Sequence, residues 1–118
     1  MSKRNKRRFA GYAYISGPIT DHPNAGQIFQ DTAEYLIGQN FKVFNPMEIP
    51  PPSAKNLSKE KEWAYYMKES LTMLLGADYV YMLPGWETSR GARMEFYLAT
   101  ELKIPTRLMN FKGKYVRV

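Results

Sequence analysis

At 118 residues the chain is long enough for one packed domain and leaves little room for insertions. Its 44% hydrophobic and 14% aromatic content excludes a wholly disordered chain, and no apolar run approaches the roughly 20 residues that cross a bilayer. The absence of cysteine excludes disulfides, thiolate catalysis and cysteine-held metals, and the single His22 argues against a histidine-built metal site or a His-dependent triad. The formal net charge of +6 is local. Lys3, Arg4, Lys6, Arg7 and Arg8 supply five of the seventeen basic residues, and the other positions carry twelve basic against eleven acidic groups. Residues 1–8 therefore read as a basic arm that binds nucleic acid or another polyanion, or as a disordered, solubilising tail. Without interleaved aromatics the tail is the simpler reading. A basic start followed by mixed sequence is not a secretory signal, which points to a cytoplasmic protein.

From residue 9 onward the pattern predicts a single α/β domain. Phe9 to Ser16 reads as a buried strand, stopped by Gly17-Pro18. Between Asn24 and Gly38 the apolar residues Ile28, Phe29, Ala33, Leu36 and Ile37 recur at helical spacing, and Gly38 suits a C-terminal cap. Phe41 to Phe44 is a second strand, ended by Asn45-Pro46. The segment from Pro46 to Lys59 holds four of the eight prolines and reads as a long loop, of the kind used as lids or binding segments. A helix follows from about Lys61 to Leu75, with Trp63, Met67, Leu71 and Leu74 on one side. Tyr79–Leu83 is the third strand, Arg90–Leu102 a helix, Thr106–Asn110 a fourth strand and Tyr115–Val118 a candidate edge strand. Strands alternating with helices imply right-handed crossovers and a mainly parallel sheet of four to five strands, covered on both faces.

In such a sheet, ligands bind beyond the carboxyl ends of the strands, near the switch point. Gly17, Pro18 and Thr20, then Asn45, then Gly85, Trp86, Glu87 and Ser89 fall at those ends. The block Leu83–Glu95 (L-P-G-W-E-T-S-R-G-A-R-M-E) is the most informative part of the chain. It runs from a strand through a glycine-containing loop into a helix whose first turn carries Ser89 and Gly91, a place for an anion to meet free N–H groups. Glu95 shares a helix face with Gly91, Ala92, Leu98, Ala99 and Leu102, the face expected to pack on the sheet. A carboxylate there is costly unless it is paired or lines a cavity. If Ser89 caps the helix, Glu95 lies about 9 Å further along the axis, and backward-leaning side chains bring its carboxylate to roughly 6–7 Å from the cap. That is about the span from a sugar 5′-phosphate to its anomeric carbon. Two readings follow: a nucleophile for glycosyl transfer, or a structural carboxylate paired with Arg90, Arg93 or another basic residue.

The sequences Y-I-S-G-P-I-T at Tyr14–Thr20, N-P at Asn45-Pro46 and L-P-G-W-E-T-S-R-G-A-R-M-E resemble the nucleoside 2-deoxyribosyltransferase superfamily, which includes nucleoside 5′-monophosphate N-glycosidases. The resemblance is strongest to its short branch, common in bacteria and their phages, and covers about Tyr12 to Leu108. It implies a flavodoxin-like, Rossmann-like sandwich and a cytoplasmic setting in a bacterium or a phage-infected host cell. By position Glu95 matches the family nucleophile. Ser89 matches the serine that helps hold the 5′-phosphate in the monophosphate-hydrolysing members, where transferases acting on free nucleosides usually have aspartate. Tyr14 and Gly17 match the pocket-forming first loop, and Trp86 either stacks on the base or merely packs. The family usually places an aspartate where this chain has Ser70. Glu69, beside it, and Glu87 are the substitute carboxylates to consider, whereas Asp78 is better suited to loop amides.

The leading expectation is a nucleotide N-glycosidase or deoxyribosyltransferase that needs no metal or cofactor, since the carboxylate itself attacks. Ser70 favours an alternative, a protein that binds a nucleotide or NAD-derived metabolite without turning it over. A nucleic-acid-binding accessory protein is a third reading, opposed by the near-neutral remainder of the chain. By resemblance alone, a homo-oligomer is expected.

Overall fold

A computed structural model of the protein describes residues 8–110 and 115–116. The basic arm thus lies outside the described residues except for Arg8, whose carbonyl accepts a 2.8 Å hydrogen bond from Asn40 Nδ2. In chain order, the strands are β1 (Gly11–Ser16), β2 (Phe41–Phe44), β3 (Tyr79–Met82), β4 (Thr106–Met109) and β5 (Tyr115–Val116). The helices are α1 (Ala25–Gly38), α2 (Lys59–Leu75) and α3 (Arg90–Glu101), and short 3₁₀ turns form at Pro46–Glu48 and Trp86–Thr88. Among the described residues, no helix is long and apolar enough to cross a membrane.

The five strands lie in the order β2-β1-β3-β4-β5. The first four are parallel, and β5 runs antiparallel along β4 with Leu108 opposite Val116. This is the doubly wound arrangement the sequence predicts. Its switch point falls between β1 and β3, the two strands that leave the sheet toward opposite neighbours. Side chains alternate along β1, so Ala13 and Ile15 join a core under α1 with Phe29, Ala33 and Leu36. Tyr14 faces the other way, into a second core with Leu74 of α2 and Ala92 and Ala99 of α3.

Local chemistry moves several boundaries from their expected places. α2 begins at Lys59 because Ser58 Oγ accepts the Lys61 amide at 3.2 Å and caps the helix two residues early. Gly38 is the last residue of α1 rather than the turn beyond it, and Asn40 takes the left-handed conformation at φ 75°. Leu102 is not on the buried side of α3. It follows the last helical turn and is 49% exposed, while Ala92, Glu95 and Ala99 are buried.

Candidate active site

Beyond the carboxyl ends of β1 and β3 lies a cleft of about 860 Å³, walled by the N-terminal halves of α2 and α3 and by the turn after β2. The cleft brings together Tyr14, Gly17, Pro18, Ser70, Ser89, Gly91 and Glu95, which lie in three separate stretches of sequence. Gly17 is required by close approach, since a Cβ there would sit 2.7 Å from Leu83 Cβ, an atom bonded directly to the backbone that no rotamer change can swing aside. The glycine lets the first loop leave β1 tight against the end of β3, where the Leu83 amide donates to the Ser16 carbonyl at 2.7 Å. Gly91 lies against Met67 Sδ of α2, so α2 and α3 meet closely beside the cleft.

Glu95 forms the floor and is only 5% exposed. Tyr14 OH donates to its Oε2 and Ser16 Oγ to its Oε1, both at 2.6 Å, the length of charge-assisted O–H···O⁻ bonds. Neither arginine of its own helix is its partner. Arg90 forms a bidentate pair with Glu60 at 3.0 and 2.9 Å, and Arg93 Nη1 donates to the Glu87 carbonyl at 3.3 Å. Burial pushes the Glu95 carboxyl up to about 7, and the Ser16 and Tyr14 hydroxyls offset that rise only in part. Burial, then the Glu95 charge, raises the Tyr14 phenol well above its ordinary value, while a hydrogen bond with Ser70 acts in the opposite direction. Ser70 therefore belongs to the same polar cluster, one hydroxyl behind the carboxylate. Among the described residues the partners of Glu95 are hydroxyls, and burial without a countercharge is an environment in which carboxyl ionisation is shifted at functional sites.

Ser89 caps α3, its Oγ accepting the Ala92 amide at 3.2 Å. The cap uses an oxygen lone pair and leaves the hydroxyl proton to donate, beside the Arg90 and Gly91 amides that have no intrahelical acceptor. At the rim, the Arg90 guanidinium lies 3.6 Å over the Trp63 ring and holds the Glu60 carboxyl below its usual range.

Other predicted site residues stand elsewhere. Trp86 is half-buried and stacked on Phe96 at 4.5 Å, outside the lining of the cleft, so it packs rather than presenting a face to a ligand there. Asn45 is buried and spends its Oδ1 on the Met47 amide at 2.9 Å, capping the 3₁₀ turn. Gly85, at φ 87°, lines a smaller apolar cavity of about 270 Å³ on the α1 side. Glu69 and Glu87 are exposed and outside the cleft lining. Asp78 Oδ2 accepts the Tyr12 amide at 2.8 Å, at the opposite end of β1 from the cleft. From the proline-rich segment, Pro46, Met47 and Ile49 reach the cleft wall. The residue the sequence reading missed is Ser16. Period two along β1 puts it on the same face as Tyr14, and that signal was available.

Three comparisons bear on this geometry. No curated protein matches the chain. Its structure is similar to that of a 2-deoxyribosyltransferase from the psychrotolerant bacterium Bacillus psychrosaccharolyticus, with 18% identity and a TM-score of 0.67 over 90% of this chain and 77% of that one. It is also similar to a conserved protein from Enterococcus faecalis V583, with 17% identity and a TM-score of 0.58 over 83% of this chain and 62% of that one. At these identities the likeness establishes the fold. A sequence-family model described as a domain of unknown function, DUF4406, matches residues 12–107, which include β1 from Tyr12 onward and the whole of α3, and the chain belongs to that family.

Proposed function

We propose that the protein cleaves or transfers the N-glycosidic bond of a nucleoside 5′-monophosphate, with Glu95 as the nucleophile. The observation that carries this reading is the Glu95 carboxylate itself, buried at the floor of a ligand-sized cleft and bonded to two hydroxyls, with no cation paired to it among the described residues. The fold shared with a solved 2-deoxyribosyltransferase supports the same reaction class. In the first step a Glu95 oxygen bonds to C1′ while the bond to the base breaks and its electron pair leaves with the base nitrogen, which takes a proton from solvent. In the second, water or a second base attacks C1′ and gives up a proton to solvent, while the C1′–oxygen bond breaks and the glutamate is released as carboxylate. Tyr14 and Ser16 aim the carboxylate, and Ser89 with the adjacent α3 amides receives the phosphate. Residues 9–118 act as one catalytic domain in a cytoplasmic homo-oligomer.

The enzyme is tested by incubating the purified protein with paired nucleosides and 5′-monophosphates and separating free base by chromatography. Base release from monophosphates in preference to nucleosides is the expected result. A second reading, binding without turnover of a nucleotide or NAD-derived metabolite, is favoured by Ser70, a buried hydroxyl where a carboxyl would serve as acid. Saturable calorimetric binding with no base released would select it.

A further inference from the structure

We infer that Arg90 is the residue that selects cleft ligands by charge, exchanging Glu60 for an anionic group on the ligand. The inference deepens the proposed function, since it takes the same cleft as the ligand site. In the free protein the guanidinium is held at the rim by three features: Nη1 and Nη2 on the two Glu60 oxygens at 3.0 and 2.9 Å, and the Trp63 ring 3.6 Å beneath. Arg90, Glu60 and Trp63 all line the cleft.

A purely structural clamp between α2 and α3 is a poor account of this arrangement. The Arg90 and Glu60 side chains are 55% and 70% exposed, and an ion pair so hydrated contributes little to stability. Arg90 is also the first residue of α3, where a cation opposes the helix dipole rather than complementing it. The choice of arginine has a chemical reason. Its planar fork matches carboxylate and phosphate alike, so one can replace the other without a change in donor geometry.

The remaining charges along the cleft make the exchange consequential. Among the described residues, Asp21, Glu62 and Glu95 face it alongside the one other cation Lys59, so while Glu60 occupies Arg90 the lining favours neutral ligands over anions. A dianionic phosphate partly screened from water is a stronger partner than one exposed carboxylate. Transfer of Arg90 to that phosphate turns the cation from Glu60 onto the ligand, returns the exposed Glu60 carboxylate to water and uncovers part of the Trp63 ring.

The test uses the full chain, with inorganic phosphate, 2′-deoxyadenosine and its 5′-monophosphate as probes, each titrated by calorimetry. Trp63 emission is followed in a Trp86→Phe background. Arg90→Gln and Glu60→Gln should act in opposite directions. The first should weaken phosphate binding and lower the monophosphate-to-nucleoside affinity ratio by about tenfold or more. The second, by freeing the guanidinium, should raise both several-fold. Phosphate should change Trp63 emission in the unaltered chain and not in Arg90→Gln. Failure of phosphate to bind the unaltered chain, an unchanged ratio in both variants, or equal weakening by both overturns the inference. Opposite-signed effects without base release from any nucleotide would leave the inference standing and remove the glycosidase reading. Base release with an unchanged ratio would do the reverse.

Discussion

Burial sets the sign of the contribution Glu95 makes to stability. Its carboxyl is raised from 4.5 to about 7 in the folded protein. The stabilising effect of the protonated form is therefore complete below pH 4.5, declines as the unfolded chain ionises, and is lost once pH passes 7. A shift of that size corresponds to about 3 kcal/mol. Glu95→Gln keeps the shape and cannot ionise, so it should be more stable than the parent at pH 8 by about 1–3 kcal/mol, with the advantage gone near pH 4. Urea unfolding at both pH values measures this, and a variant less stable than the parent at pH 8 would restore a structural role. As a nucleophile Glu95 must be ionised, so kcat/KM for base release should rise through about pH 7. Ser16→Ala removes a donor that favours the carboxylate, and should move that midpoint upward. An unmoved midpoint would mean that Ser16 does not act on the ionisation of Glu95. The chain made Glu95 legible because one carboxylate interrupts an otherwise apolar helix face. Its two hydroxyl partners lie some eighty positions away, and local spacing carries no information about such a pairing.

Element boundaries were legible wherever side-chain pattern decides them and less so where capping does. The apolar periodicity of α1 and the short strands β2 and β3 sufficed, whereas Ser58 advanced the start of α2 and Asn40 took the left-handed turn expected near Gly38. At α3, Ser89 is both the helix cap and the proposed phosphate donor, and these roles can be separated. Aspartate caps helices as well as serine does, so Ser89→Asp should fold normally while its charge repels a phosphate. The preference for monophosphate over nucleoside should fall by about tenfold or more, read by calorimetry. An unchanged preference would detach phosphate recognition from this cap. Gly17 holds the other wall. Adding a Cβ 2.7 Å from Leu83 Cβ should cost about 1–3 kcal/mol in Gly17→Ala, measurable by denaturant unfolding. A neutral change there would mean that the β1 loop yields freely.

At the scale of the molecule, alternating strands and helices made the parallel sheet predictable, and the sheet made it predictable that the loops after β1, β2 and β3 converge. Periodicity alone did not carry the strand order β2-β1-β3-β4-β5, because it identifies strands without saying which ones pair; only the flavodoxin-like resemblance implied it. The same gap explains the misplaced pocket residues. Asn45 and Trp86 lie at the correct end of the sheet, yet one turns into its own backbone and the other onto Phe96. The excess positive charge falls in the sequence at Lys3, Arg4, Lys6 and Arg7, outside the described residues. Removing residues 1–7 should leave turnover of a free mononucleotide unchanged, and should reduce any association with DNA or RNA together with its salt dependence. A large loss of turnover in the truncated chain would assign the arm to the active site.

The covalent step is open to direct observation. Acid quenching during turnover of a nucleoside monophosphate, followed by peptide mass mapping, should reveal a sugar-phosphate ester on Glu95 that is absent from Glu95→Gln. Base release with the sugar on another residue, or undiminished release by Glu95→Gln, would contradict the assignment of Glu95 as the nucleophile.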